Sequence, residues 1–278
     1  MGGSLLVFTD LDGTLLDADY GFAEAAPALA EIRRRGIPLI PCSSKTRDEV
    51  ERLRRRLGLA DPFIVENGAA CCIPEGWRGI PLAEGRREGG CRVIRCGVAY
   101  ERLRRFLAGP GRALGARGFG DAGVAEIARR TGLPAEEAAL ARRREASEPF
   151  WFEGPERSAE LAAAAAARRG LAVTRGGRFY HLLGAGVDKG AAVRRLVALI
   201  APHLPAPLHT IGLGDGENDL PLLAAVDRPV LLPRPEGGFV PCDLPGLLRE
   251  RQGGARGWNA AVLRLLAALD AGPAGPRL

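Results

Sequence analysis

Along this chain the apolar residues come in short runs, and several of those runs break off into acids, hydroxyls or glycines. Leu5 to Phe8 is an unbroken apolar stretch, the pattern of a short parallel strand buried on both faces, and it stops in Thr9-Asp10-Leu11-Asp12-Gly13-Thr14. From Ala23 to Arg35 the spacing turns helical, with Ala28, Leu29 and Ile32 on one side and Gly36 as a stop. Ile37 to Cys42 predicts a second strand, although Pro38 and Pro41 are unusual at a central position. A helix over about Asp48 to Leu57 follows, then a third strand over Phe63 to Val65 that ends in Glu66-Asn67-Gly68.

Between about Pro81 and Gly186 the character changes. Arg92 to Cys96 and Pro149 to Phe152 predict strands, with helices over 100–107, 124–130, 135–143 and 159–169 around a glycine-rich passage from Gly109 to Gly123. Leu171 to Thr174 and Arg178 to Leu183 are split by Gly176-Gly177, a hairpin signal. Strand–helix alternation then resumes with a helix from Asp188 to Leu199 and a strand over Leu208 to Leu213, which ends in Gly214-Asp215-Gly216-Glu217-Asn218-Asp219. A helix near Leu220 to Ala225, a strand over Pro229 to Leu232 and an amphipathic helix from Trp258 to Leu269 complete the pattern, and the Gly/Pro tail past Asp270 is expected to fray. These elements predict an α/β fold. A parallel-sheet core built from residues 1–84 and 187–278 is interrupted over residues 85–186 by an α+β module with an antiparallel sheet.

Composition narrows the setting. With 46% hydrophobic and 26% charged residues the chain falls among soluble globular proteins, and no run approaches the roughly 18 to 20 apolar residues of a membrane span. The first strand begins at once, so no signal peptide is expected. Cys42, Cys71, Cys72, Cys91, Cys96 and Cys242 form no CxxC pair, which argues against a zinc or disulfide framework and for free thiols in a cytoplasmic setting. The net charge of +6 comes from arginines spread along helical faces without interleaved aromatics, so an anionic small molecule is expected rather than a nucleic acid. Of 39 basic residues only Lys45 and Lys189 are lysines, leaving 37 arginines. A chain that uses arginine almost everywhere marks its two lysines as places where a compact ammonium is wanted.

Two predicted strand ends are acidic. Ligands of open α/β sheets bind at the carboxyl ends of the strands, so Asp10 and Asp12 are candidates for a Mg²⁺ site with one carboxylate free to act as a nucleophile, or else a solvated turn. The loop from Gly214 to Asp219 carries Asp215 and Asp219, which suits a hard cation and not the pyrophosphate of a dinucleotide. Ser43, Ser44, Lys45 and Thr46 stand between a strand and a helix N-terminus, where N–H groups and hydroxyls hold an anion or simply cap the helix.

The strings DLDGT, the strand leading to Ser43, Lys189 and GDGEND resemble, in order, the four motifs of the haloacid dehalogenase-like phosphatases. Placing the insert between the second and third motifs, with Asn67-Gly68 after the third strand, resembles the branch with a C2-type cap. A closer resemblance is to the mannosyl-3-phosphoglycerate phosphatase family, carried by SSKT (Ser43 to Thr46), ENGA (Glu66 to Ala69), R-E-x-S-E-P-F (Arg144 to Phe150) and GGRFYH (Gly176 to His181). The resemblance implies a Rossmannoid core with a specificity cap and a Mg²⁺-dependent phosphomonoesterase. Asp10 would attack phosphorus, Asp12 would serve as acid and base, and Ser43 and Lys189 would hold the phosphoryl oxygens. Mg²⁺ would sit on Asp10, the Asp12 carbonyl and Asp215, supported by Asn218 and Asp219.

By the same resemblance the substrate is mannosyl- or glucosyl-3-phosphoglycerate and the product a glycosylglycerate compatible solute. Ser44, Lys45, Asn67, Gly68, Arg144, Glu148, Arg178 and His181 would bind it. A phosphatase for another sugar or polyol phosphate and a phosphomutase stay open, as does a homodimer.

Overall fold

In the computed structural model, residues 3–17, 19–153 and 158–271 are described; the Gly/Pro tail beyond them lies outside that range. The first half of the core comprises β1 (Ser4–Thr9), α1 (Ala26–Arg34), β2 (Leu39–Pro41), α2 (Arg47–Leu57) and β3 (Phe63–Val65). Then come β4 (Ala70–Pro74), β5 (Arg86–Glu88) and β6 (Cys91–Arg95). The insert holds α3 (Tyr100–Phe106), β7 (Ala116–Gly118), α4 (Val124–Thr131), α5 (Ala135–Ala141), β8 (Glu148–Phe152), α6 (Ser158–Ala167), β9 (Leu171–Gly176) and β10 (Phe179–Gly184). The core closes with α7 (Lys189–Ile200), β11 (Leu208–Gly214), α8 (Leu220–Leu223), β12 (Arg228–Leu231), β13 (Leu248–Arg249) and α9 (Gly254–Asp270).

The central sheet has the order β13-β12-β11-β1-β2, with every pairing parallel. Its alternation explains the unbroken apolar run of β1. Leu6 and Phe8 face Val193, Leu196 and Leu222 of α7 and α8, whereas Val7 faces Leu29, Val50 and Trp258 of α1, α2 and α9. Both faces are buried, and each such side chain contributes about 1.5–3 kcal/mol. The α2 helix starts in a capping box, Thr46 accepting the Glu49 N–H and Glu49 accepting the Thr46 N–H.

A single parallel bridge from Cys42 to Ile64 carries the sheet onward into an antiparallel unit of order β3-β4-β6-β5. Over residues 86–95, β6 pairs with β4, β5 pairs with the far edge of β6, and this stretch feeds the same two core layers, through Cys91 and Val93 on one face and Ile94 on the other. These ten residues, expected to open the insert, thus pair with strands of the core, and the insert's own sheet lies beyond them. Three strands carry no apolar alternation that would announce them: β5 is wholly charged at a sheet edge, β7 is Ala-Arg-Gly, and β13 has two residues. The insert's own sheet is antiparallel, β7-β8-β10-β9, with Phe150 facing one cluster (Leu103, Phe106, Leu182) and Trp151 the other (Phe119, Ile127, Leu133). Among the described residues no helix is long and apolar enough to cross a membrane.

Candidate active site

The carboxyl ends of β1 and β11, the loop after β2 and the first turn of α7 converge on one point. Asp10 follows β1 directly, and its carbonyl is held by the Thr9 hydroxyl (2.7 Å), which in turn accepts the indole N–H of the fully buried Trp258 (2.9 Å). Gly13 has φ +81°, and a Cβ there would lie 2.7 Å from Asp215 Oδ2, so only glycine lets the two acidic loops meet. Thr14 donates its hydroxyl to Asp215 Oδ1 at 2.7 Å. Lys189, the first residue of α7, donates from Nζ to Asp10 Oδ1 (2.6 Å) and Asp219 Oδ1 (2.5 Å). The other oxygen of Asp219 accepts the N–H groups of Asp215 (3.1 Å) and Gly216 (2.9 Å).

Asp10, Asp215 and Asp219 are all buried and each presents a carboxylate oxygen within 4.8 Å of the others. Lys189 is the one cation paired with them among the described residues. Burial, then the Asp219 charge, pushes the Asp10 carboxyl well above its ordinary value against the pull of Lys189. Burial and Asp219 likewise push Asp215 up to about 7, against the Thr14 hydrogen bond. For Lys189 burial opposes the charge, but Asp10 and Asp219 outweigh it and hold the ammonium above its ordinary value. Three hard oxygen donors with a deficit of positive charge are a donor set that fits Mg²⁺.

Asp12 does not join this cluster. Its side chain, 43% exposed, pairs with Lys45 Nζ at 3.0 Å, and Lys45 also lies 3.8 Å from Glu49 and 4.8 Å from the centre of the Tyr20 ring. Ser43 is buried, and its hydroxyl oxygen accepts the Lys45 N–H at 3.2 Å. Asn67, at φ +57°, accepts at Oδ1 from the Asn218 amide at 3.0 Å and donates its N–H to the Ser43 carbonyl at 2.9 Å. Gly68 serves through what it lacks, since a Cβ there would lie 2.1 Å from the Asp188 carbonyl and push α7 away. The hairpin of β9 and β10 reaches the same place: a Cβ on Gly176 would sit 3.2 Å from Asn218 Nδ2 and 3.3 Å from His181 Nε2. His181 is buried, with Nδ1 unpartnered among the described residues. Burial, Arg144 and Lys189 lower its pKa to about 3, so it is neutral.

Three expected substrate ligands are committed elsewhere. Arg144 donates to the carbonyls of Ser44 (2.6 Å) and Ala141 (2.9 Å), so it joins insert to core and leaves the Ser44 carbonyl occupied. Glu148 is fully buried inside the insert and accepts from Tyr100 (2.6 Å), Arg104 (2.7 Å) and the Gly120 N–H (2.7 Å). Arg178 donates to the Thr131 carbonyl at the end of α4 (2.6 Å). Each finds an internal partner that the linear spacing gives no hint of. Conversely, Tyr20, Thr14 and Glu66 lie outside the set of site residues expected from the sequence, although Glu66 stands directly at a strand end and opens the ENGA string.

A profile of the haloacid dehalogenase-like hydrolases matches residues 7–80, the stretch that holds Asp10, Asp12 and Ser43. The fold is similar to that of a haloacid dehalogenase-like hydrolase from B. subtilis, with a TM-score of 0.61 at 17% identity over 82% of this chain and 88% of that one. The chain thus has the fold of the haloacid dehalogenase-like hydrolases, with an inserted cap. Over 269 residues it is 40% identical to a glucosyl-3-phosphoglycerate/mannosyl-3-phosphoglycerate phosphatase of Persephonella marina, covering 96% of this chain and 99% of that relative. A relative of the same description from Methanococcoides burtonii is 39% identical over 94% of this chain and 97% of its own length. The chain belongs to the family of these phosphatases.

Proposed function

We propose that this protein hydrolyses glucosyl- and mannosyl-3-phosphoglycerate to the glycosylglycerate and inorganic phosphate, with Asp10 as the nucleophile. The observation that carries the reading is the buried group of Asp10, Asp215 and Asp219 around Lys189, lying beneath the β9–β10 hairpin of the insert. Asp10, Asp215 and the main-chain carbonyl of Asp12 would hold Mg²⁺, with Asn218 and Asp219 supporting them. When bound, the ion supplies Lewis acidity and offsets the repulsion between carboxylate and phosphate.

An oxygen of Asp10 forms a bond to phosphorus as the bond from phosphorus to the glycerate oxygen breaks, and Asp12 gives that oxygen its proton. Asp12, exposed enough to meet the leaving group, then takes a proton from water. The water oxygen attacks the phosphorus of the aspartyl phosphate, and phosphate leaves with Asp10 restored. Lys189 and Ser43 stabilise the phosphoryl oxygens in flight. Lys45, paired with Asp12, would receive the glycerate carboxylate. The unpartnered Asn67 Nδ2 and His181 Nδ1, both buried, are suited to sugar hydroxyls, which can donate or accept, since polar atoms left unpaired in a site are costly.

The reading is tested by phosphate release from both compounds, with Mg²⁺ and after chelation. Release that is fast on either compound and lost on chelation is expected. Preference for an unrelated sugar or polyol phosphate would move the substrate assignment, and phosphoryl transfer to a second hydroxyl without free phosphate would mark a mutase.

A further inference from the structure

We propose that Glu66 is a positioning residue: it anchors the insert to the core beside the site and so fixes the arrangement of the groups that meet the substrate. Glu66 follows β3 with φ +51°, is 2% exposed and has no cationic partner among the described residues. Instead its carboxylate gathers donors from one turn of the insert. Oε1 accepts the Glu145 N–H (2.8 Å), and Oε2 accepts the Ala146 N–H (3.1 Å), the Ser147 N–H (2.7 Å) and the Ser147 hydroxyl (2.7 Å). Successive backbone N–H groups make a concave anion site, and bonds to an ionised acceptor are the strong ones. Here the anion is the core's own side chain.

The rest of the Glu66–Gly68 turn is bound to the loops of the site. The Glu66 N–H donates to the Lys45 carbonyl (2.9 Å) and the Asn67 N–H to the Ser43 carbonyl (2.9 Å). Asn67 takes the Asn218 amide, and Gly68 lets the start of α7 approach. Glu66 and Asn67 both hold left-handed backbone, a conformation non-glycine residues keep only where the surroundings over-determine it. Arg144 makes the reciprocal tie from insert to core, onto the Ser44 carbonyl. One turn thus links the phosphate-side loops, the acidic loop and the insert, and Glu66 is its link to the insert. The acid touches none of Asp10, Asp215 or Asp219, so it acts through the groups it positions.

The kinetic arm of the test rests on the substrate reading above; the exchange arm does not. Amide hydrogen exchange and steady-state kinetics are measured on the full chain as wild type, Glu66→Gln and Glu66→Ala, with mannosyl-3-phosphoglycerate and phenyl phosphate as substrates. Losing a bond to a buried charged acceptor predicts faster exchange over residues 145–147, unchanged protection over β1, and a KM for the sugar compound raised at least about tenfold. The loss on phenyl phosphate, which has no sugar for the insert to meet, is smaller. Ser147→Ala, which removes one donor, moves both readouts the same way by less. Unchanged exchange at 145–147 in the Gln variant, or equal losses on both substrates, overturns the proposal. Should the Ala variant not fold, the Gln variant decides. Should the wild type leave the sugar compound intact, the substrate reading falls and the exchange arm alone decides the anchor.

Discussion

Replacing Lys189 by arginine keeps the charge and tests whether the site needs a compact ammonium. In the wild type Nζ is fully buried and makes two charge-assisted bonds, 2.6 Å to Asp10 and 2.5 Å to Asp219. The first turn of α7 has no slack around it: a Cβ on Gly190 would lie 2.0 Å from the Pro221 carbonyl, and one on Gly68 would lie 2.1 Å from the Asp188 carbonyl. A guanidinium fork is broader and longer, so it must displace either the helix start or the two carboxylates. Overpacking of a tight interior costs about 1–3 kcal/mol, and misplacing one preorganised donor costs about 10²–10³ in kcat. Lys189→Arg should therefore lower kcat at least about 100-fold and cost about 1–3 kcal/mol of stability. Phosphate release under saturating substrate and urea unfolding of the same samples give the two numbers. Lys189→Met separates charge from shape, since it leaves the three carboxylates with no cation and breaks a buried pair, typically about 3–5 kcal/mol. An Arg variant that turns over at nearly the wild-type rate would refute the argument from size.

Other outcomes follow from the same geometry. Asp10→Asn should abolish phosphate release while leaving the unfolding midpoint of metal-free protein unchanged or raised, because it removes one of three clustered like charges; a thermal melt and an activity assay check both. Mg²⁺ added to chelator-treated protein should raise its stability by about 2.7 kcal/mol at a hundred times Kd, and Asp215→Asn should erase that shift in a melting titration. His181 is neutral in the folded state down to about pH 3, whereas the unfolded chain takes up its proton near the ordinary value of 6.5. Between those limits the unfolded state binds more protons, so the contribution of His181 is complete above pH 6.5 and is lost as pH falls toward 3. Urea unfolding of His181→Gln should show a flatter loss of stability across that window than the wild type.

Much of the fold could be read from the chain because it is encoded locally. The β1 run and its abrupt end, the helix from Lys189 and the glycine-spaced acidic loop after β11 each depend on neighbours within a few residues. The scarcity of lysine pointed the same way, and both lysines end against acids of the first motif, Lys45 on Asp12 and Lys189 on Asp10. The short strands β5, β7 and β13 were not legible, because edge pairing there satisfies backbone groups without an apolar face.

By itself, then, the sequence determined where strands stop, which acids stand at their ends and where glycine must replace a side chain. Only the tertiary structure decided what the charged residues of the insert are for. Arg144, Glu148 and Arg178 carry the same chemistry whether they bind a ligand or the protein, and their partners lie 100, 48 and 47 residues away for Ser44, Tyr100 and Thr131. Spacing along a chain reports on one helix or one strand, but a buried charge is satisfied by whatever the folded chain brings within about 3 Å.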